Sequence, residues 1–265
     1  MSESLSAANW VKQRVNGWRA APTNDELNEV LRRLGRWRSR LLANTYVARH
    51  GPVVMQGPFA GMTYVTEAAE GALVPRLIGT YESELHPHVA RIAEAGLDCV
   101  INVGCAEGYY AVGLARLLQT VEVHAFDINP EAQKACVELA ALNGVEGRVL
   151  VGGEFKAEDF QAFAGRRAFV MLDVEGAETD LLQPDRAPAL AAMPIIVETH
   201  DLYRPGTMAE LVRRFTPSHE IIVVEQQPKL FDMPPWLQSL PHLDQLLAVW
   251  EWRAKPTPWL VMTPK

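Results

Sequence analysis

Short, mainly apolar runs separated by helical patterns and turns make up most of the chain after residue 95. Five of them are predicted as buried parallel strands, at 98–103, 121–126, 148–151, 168–172 and 194–197. Apolar runs of this length are typical of strands that are covered on both faces. Two further strands are predicted at 220–225 and 259–262, so the pattern indicates a doubly wound α/β sheet.

The first 50 residues show helical spacing instead. Helices are predicted over 5–18 and 25–43, with Thr23 or Asn24 as the N-cap of the second. Apolar residues recur on one face of that second helix, at Leu27, Leu31, Leu34, Trp37 and Leu41. Such a face needs a partner. The 1–50 extension is therefore expected to cap or lengthen a substrate pocket, or to form a homodimer contact.

The first predicted strand ends in a turn that opens directly into a helix, with the sequence INVGCAEGYY from Ile101 to Tyr110. Gly104 and Gly108 allow a tight bend and a close approach of a ligand to the backbone, and the helix start offers N–H groups to an anion. The dinucleotide pattern G-x-G-x-x-G fails here at Ala106 and Tyr109. A ligand smaller than a dinucleotide is therefore favoured over NAD.

Asp127 ends the second predicted strand, 23 positions after Gly104. An acid at about this distance can hold ribose hydroxyls, and the same residue can also cap the helix that opens at Pro130. We favour ribose binding. After the third strand, Glu154 and Phe155 either face a base or form an ordinary turn followed by a core side chain, and the sequence favours neither interpretation.

Acidic residues follow the fourth and fifth strands. Asp173 and Glu175 come after the fourth, and Glu198, His200 and Asp201 come after the fifth. Parallel strands bring their carboxyl ends to one rim, where carboxylates repel one another unless solvent, a cation or a shared proton offsets the repulsion. His200 is our first candidate for a general base, and Glu175 is the second, as a base or as a group that orients the acceptor. An Mg²⁺ ion held by the same rim is the alternative, which we rank below a site without metal.

Three segments together resemble a known family. The turn at 101–110, the sequence LDVEGAE at 172–178 and the sequence GTYESEL at 79–85 are similar to the FkbM-like family of class I S-adenosylmethionine-dependent methyltransferases. The resemblance implies an α/β, Rossmann-like class I methyltransferase fold with a seven-stranded, mostly parallel sheet and an antiparallel last strand. It also implies S-adenosylmethionine as the cofactor and O-methylation of a small-molecule hydroxyl, on a sugar or a secondary metabolite. The methyl group would move by in-line transfer with general-base assistance.

The same resemblance implies a set of cofactor contacts. They are Tyr81, Glu82, Asn102, Gly104, Cys105, Ala106, Glu107, Gly108, Tyr109, Asp127, Ile128, Glu154, Phe155 and Asp173. Asp173 would lie beside the cofactor, while His200 and Glu175 would act on the acceptor. Asn102 stands where the superfamily commonly has an acid, and its side-chain carbonyl would accept a bond from the methionine amino group.

Length, charge and cysteine usage complete the expectations. The 265 residues, 48% of them hydrophobic, suit one methyltransferase domain at 51–265 with an insertion at 226–258 before the last strand. Residues 1–50 carry a net charge of +5, which leaves −12 on residues 51–265 and disfavours a nucleic-acid partner. Three scattered cysteines and the lack of a long apolar segment predict no zinc site, no membrane partner and a cytoplasmic location. The alternatives from other classes are an NAD-binding oxidoreductase and a non-catalytic cofactor-binding module.

Overall fold

Seven strands form one sheet in the computed structural model, which describes residues 3–18, 21–65, 71–253 and 255–265. The strands are β1 (Cys99–Val103), β2 (Glu122–Phe126), β3 (Val149–Gly152), β4 (Ala168–Leu172), β5 (Ile195–Glu198), β6 (His219–Val224) and β7 (Trp259–Pro264). Their order is β3-β2-β1-β4-β5-β7-β6, in which β1 to β5 run parallel and β7 is antiparallel to both of its neighbours. The predicted fold class is confirmed, and the ends of the strands lie within two residues of the prediction.

The central strands are buried on both faces, as their apolar sequences predict. Side chains alternate along β1, so that Val100 belongs to the same buried cluster as Val123 and Phe169, while Ile101 belongs to a second cluster with Val170. The order of the strands reverses at β1: the chain proceeds from β1 to β2 and β3 on one side, and then to β4 and β5 on the other side. In open α/β sheets this reversal leaves a crevice at the carboxyl ends of the strands, where ligands bind.

Helices cover both faces of the sheet. They are α1 (Glu3–Asn16), α2 (Asn24–His50), α3 (Leu73–Ile78), α4 (His86–Glu94), α5 (Tyr109–Leu117), α6 (Pro130–Leu142), α7 (Glu178–Leu181), α8 (Thr207–Phe215), α9 (Pro235–Gln238) and α10 (His242–Ala248), with 3₁₀ turns at Ser83–Leu85, Ala157–Phe163 and Pro188–Ala192. No helix in the described ranges is long and apolar enough to cross a membrane.

The helix α2 is longer than predicted and buries only part of its apolar face. Thr23 caps it, with its side chain bonded to the Glu26 N–H and the Glu26 carboxylate bonded back to the Thr23 N–H. Ser39, Leu42, Ala43 and Tyr46 in the second half of α2 are buried, whereas Leu27, Leu31 and Leu34 are 47%, 67% and 38% exposed. These three leucines of the predicted apolar face are therefore not covered within the described chain, and a contact with another subunit stays a prediction.

The insertion between β6 and β7 packs against α2. Arg38 of α2 forms a two-point ion pair with Asp244 of α10, at 2.7 and 2.5 Å, and the Trp250 ring lies directly against Gly35. The helix α10 ends at Ala248, and Trp252 has a positive φ of 67°. After the end of α10 the chain leads back to the sheet at β7.

Candidate active site

A cavity of about 870 Å³ lies at the carboxyl ends of β1, β2, β4 and β5. This volume falls within the range of roughly 300–1,000 Å³ that is usual for ligand pockets. Three non-glycine residues with positive φ line it, namely Ala106 (45°), Glu175 (48°) and Trp252 (67°). Strained backbone persists where the surrounding structure holds it in place, and it concentrates at functional sites.

The glycine turn after β1 forms the floor of the cavity next to β4. Gly104 has a φ of 77°, and a Cβ added there would lie 1.6 Å from the carbonyl oxygen of Asp173. The N–H groups of Gly104 and Cys105 both donate to the carbonyl of Phe126, at 2.8 and 3.0 Å. The turn is thus held between β2 and β4, in a position that only glycine permits.

Asp127 organises the wall after β2. Its two carboxylate oxygens accept from the N–H groups of Ala106 (2.9 Å) and Asn129 (2.8 Å). Asn129, and not Asp127, caps α6 by accepting from the Glu131 N–H at 3.0 Å. Asp127 lines the cavity, and a carboxylate has about four acceptor sites, so hydroxyl groups can still bind to it.

An apolar surface adjoins Asp127. Ile128 lines the cavity and is 82% exposed, which is high for so large an apolar side chain. Phe155 also lines the cavity, yet it is largely buried between Phe126 and Phe160, with ring centroids 4.6 and 4.7 Å away. Glu154 is exposed beside it. Phe155 is therefore a core residue with one edge on the cavity.

Several predicted contact residues line the cavity and others do not. Those that line it are Tyr81, Gly104, Ala106, Asp127, Ile128, Glu154, Phe155, Asp173, Glu175 and His200. The structure does not bring the remaining six to its wall: Glu82, Asn102, Cys105, Glu107, Gly108 and Tyr109.

Each of these six side chains has another contact. Glu107 is buried, accepts from the Tyr64 hydroxyl and lies 3.4 Å from Arg76. Asn102 donates to the Met171 carbonyl at 3.3 Å. Both side chains are thus bonded inside the protein through one atom, while Asn102 Oδ1 and Glu107 Oε2 have no hydrogen-bond partner among the described residues.

The other four pack internally or form ion pairs. Tyr109 contacts the rings of Phe59, Tyr64, Tyr81 and Tyr110. Cys105 is buried, and Gly108 lies against Cys136, whose Sγ would be 2.9 Å from an added Cβ. Glu82 is buried in the ion-pair cluster described below.

His200, after β5, lies among three carboxyl groups. Its Nδ1 is 2.5 Å from the buried Glu178, while its Nε2 is 3.4 Å from Glu198 and 3.6 Å from Asp173. Burial disfavours the imidazolium form, but the hydrogen bonds to Glu178 and Glu198 and the charges of Glu198 and Asp173 outweigh it and raise the pKa of His200 to about 10. His200 is therefore protonated at neutral pH.

Asp173 holds its proton more tightly than an ordinary aspartate. Burial first, and then the charge of Glu198, raise its pKa well above the usual range, against the opposing effect of His200. Its side chain is 36% exposed, onto the cavity that it lines. Asp173, Glu198 and His200 each offer one ligand atom within 4.8 Å of the others, a spacing that a metal ion could use.

A buried arginine neutralises the same rim. Arg253, from the insertion, pairs with Glu198 and lies 2.6 Å from Glu82 and 3.0 Å from Glu251. Burial alone would raise the pKa of Glu198, yet the hydrogen bond to His200 and the charge of Arg253 lower this pKa to about 2. Burial raises the pKa of Glu82 to about 7, with Arg253 opposing the rise. The repulsion among the acids is thus offset by Arg253 and His200.

A second cation ties the insertion to the segment before α4. Lys229 lies 2.6 Å from both Glu84 and Glu251, and all three side chains are almost fully buried. We call Arg253, Lys229 and their acidic partners the clamp. Sequence reasoning missed its two cations, because neither Arg253 nor Lys229 belongs to a recognisable motif and Arg253 is 171 residues from Glu82.

Comparisons with known proteins give only distant likenesses. The chain matches no protein-family model and no curated protein. It is similar to a solved O-methyltransferase from Bacillus cereus in complex with SAH, at 10% identity and a TM-score of 0.47, over 98% of this chain and 100% of the other. It is also similar to the O-methyltransferase TomG from Streptomyces achromogenes in complex with SAM (12%, 0.44, 67% and 80%) and to an rRNA methylase from Streptococcus thermophilus (16%, 0.45, 69% and 96%). Likenesses at this level assign neither activity nor substrate, so the site is interpreted from its own residues.

Proposed function

We propose that the protein is an S-adenosylmethionine-dependent methyltransferase, similar to the FkbM-like family, that methylates an oxygen atom of a small molecule. The observation that carries the proposal is the contact between two separate signatures at one cavity. Gly104 of INVGCAEGYY packs directly against the carbonyl of Asp173 of LDVEGAE. The two motifs follow the paired strands β1 and β4, so both stand at the switch point of this sheet.

The residues around the turn suit this cofactor. Asp127 would accept from the ribose hydroxyls, and Ile128 with the edge of Phe155 would cover an adenine face. When bound, the cofactor supplies an activated methyl group on a sulfonium sulfur. The cavity walls then need only align the acceptor oxygen and receive one proton.

We assign proton transfer to His200 in its neutral form. Glu178 fixes Nδ1, which leaves Nε2 on the side of Asp173 and Glu198. Because the pKa of His200 is about 10, only a small fraction of the free enzyme is in the reactive state at neutral pH. A positive charge brought into the cavity would lower that pKa by repulsion. Glu175, exposed at the mouth, orients the acceptor.

The test is transfer of a tritiated methyl group from S-adenosylmethionine to a panel of sugars, phenols and hydroxy acids. His200→Ala should lower kcat by about 10²–10⁴-fold, the usual contribution of a general base, and Glu175→Gln should lower it less. His242→Ala, an exposed histidine of α10, is the control and should be silent.

Unchanged turnover in His200→Ala would contradict the catalytic assignment. Cofactor binding without transfer to any member of the panel would favour the non-catalytic module, and selective thermal stabilisation by NAD would favour the oxidoreductase.

The proposed partners follow from the surface. A small-molecule acceptor fits the cavity, and the acidic 51–265 region disfavours nucleic acid. A homodimer would cover Leu27, Leu31 and Leu34, and sedimentation of Leu31→Lys against the parent chain tests it. The protein has three buried cysteines that form no disulfide, which agrees with a reducing, cytoplasmic location.

A further inference from the structure

One wall of the cavity carries positive charge that no acid neutralises within the described part of the chain. Arg36 of α2 and Lys255 after α10 both line the cavity, and neither forms an ion pair there. Trp252 also lines it, with its ring centroid 5.4 Å from the Arg36 guanidinium carbon. We call these three residues the donor wall.

The donor wall offers hydrogen-bond donors and no acceptors. The indole N–H of Trp252 is buried and has no partner among the described residues. Because this N–H is closed off from the cavity, the indole contributes through its ring, over which the Arg36 guanidinium lies. The donors that face a ligand are those of Arg36 and Lys255, since arginine and lysine side chains donate only, and the planar guanidinium matches the paired oxygens of a carboxylate or a phosphate.

A chain of contacts places the donor wall beside the predicted base. Arg253 follows Trp252 directly in sequence and pairs with Glu198, whose Oε2 lies 3.4 Å from His200 Nε2. Lys255 comes two residues later in the same segment. The donor wall is therefore linked through Arg253 and Glu198 to the rim where an acceptor would react.

Neighbouring acids do not remove this charge. Glu198 and Glu251 are already paired with Arg253, and Asp180 lies 2.8 Å from Arg204. Of the other two acids at this end of the cavity, Asp173 has a pKa raised well above its usual range by burial, and Glu175 forms no ion pair among the described residues. The cations of the donor wall are thus available to a ligand, although the protein as a whole carries a net charge of −7.

We propose that the methyl acceptor carries an anionic oxygen group, a phosphate or a carboxylate, which the donor wall binds. The inference rests on the proposed function, because it concerns the acceptor end of the same cavity. It also gives α2 a role, since Arg36 reaches the cavity from the 1–50 extension and makes that extension part of substrate recognition.

Calorimetry with phenyl phosphate, benzoate and phenol tests the proposal, on the free protein and on protein saturated with S-adenosylhomocysteine. Phenyl phosphate or benzoate should bind at least about tenfold more tightly than phenol, equivalent to about 1.4 kcal/mol. The relative affinities of the phosphate and the carboxylate identify which group is preferred. The preference for the anion should disappear in the Arg36→Gln/Lys255→Gln double variant and weaken in Trp252→Phe.

Arg32→Gln is the matched control, because Arg32 is exposed on the same helix and does not line the cavity. Equal binding of phenol and both anions, no binding of either anion, or a preference that survives the double variant would each overturn the proposal. Loss of S-adenosylhomocysteine affinity in the double variant would also overturn it, since the cations would then serve the cofactor. If the parent chain binds the anions but not S-adenosylhomocysteine, the proposed function fails while the anion site is supported.

Discussion

The two halves of the cavity rim are held by different forces. On the side of β1 and β2, contacts with backbone groups hold the rim in place, since Gly104 packs on the Asp173 carbonyl and Asp127 accepts from two backbone N–H groups. On the side of β5 and the insertion, buried charges pair across the clamp, where Arg253 joins Glu82 and Glu198. A site shaped by backbone leaves glycines at fixed positions in the sequence. A site held by distant ion pairs leaves no such local pattern.

Removing the central cation of the clamp should have the largest effect. Arg253→Met removes the ion pair of the buried Glu82, and it leaves Glu198 and Glu251 with only His200 and Lys229 as their cations. Breaking a buried pair from one side costs about 3–5 kcal/mol. Urea denaturation measures the free energy of unfolding. Arg213→Met is the control, because Arg213 forms an exposed pair with Glu210 on one helix turn and its loss should not be measurable. Equal losses in the two variants would show that the clamp does not stabilise this half.

The stability of the glycine turn should depend on the volume of the side chain at position 104 and not on charge. Gly104 and Gly144 have similar positive φ values, 77° and 65°, but an added Cβ at Gly144 meets nothing within 4 Å. Both alanine variants carry the same backbone strain. Gly104→Ala should be less stable than Gly144→Ala by about 1–3 kcal/mol, the usual cost of overpacking, and should bind S-adenosylhomocysteine more weakly. Similar stability and affinity in the two variants would mean that the turn is not tightly held.

The pH dependence of catalysis should report on the β5 half of the cavity rim, because His200 is there. The reactive form of His200 is neutral, and its pKa is about 10, so kcat/KM should rise by about tenfold per pH unit from neutrality towards pH 10. The kcat profile should level off at lower pH, because the bound cofactor's charge lowers the pKa in the complex. His200→Ala should lose the rising limb. A value of kcat/KM that stays constant between pH 7 and 9 in the parent chain would contradict the proposed base.

The smallest expected effect is that of a chelator. Asp173, Glu198 and His200 have ligand atoms close enough for a cation, yet Arg253 and the protonated His200 already offset the acids. Treatment with EDTA should therefore leave methyl transfer unchanged. Loss of activity that Mg²⁺ restores would replace the general base with metal-assisted chemistry at this rim.

The sequence predicted what local physics determines. Strands such as Ala168–Leu172 were recognisable because burial on both faces requires an uninterrupted apolar run. Gly104 and Asp127 were recognisable because a turn between a strand and a helix restricts the residue type. His200 was placed at the cavity correctly, but its partner Glu178 was not anticipated.

Other features depend on contacts that form only in the folded chain. Glu82 and Glu107 look like exposed acids near a ligand in the sequence, yet Arg253 and Arg76 neutralise them inside the protein. The exposure of Leu31 depends on where α2 leaves the domain, which helical periodicity does not specify. The role of Arg36 likewise depends on the packing of α2 against the insertion.

The central claim is that the half of the cavity rim beside β1 and β2 binds the cofactor. Calorimetric titration with S-adenosylmethionine, S-adenosylhomocysteine and NAD tests it most directly. The account predicts binding of the first two and not of NAD. Asp127→Ala should weaken that binding by at least about tenfold, through loss of charge-assisted hydrogen bonds, while Glu131→Ala, an exposed acid in the first turn of α6, should not. Selective binding of NAD, or an affinity for S-adenosylhomocysteine that Asp127→Ala leaves unchanged, would contradict the account.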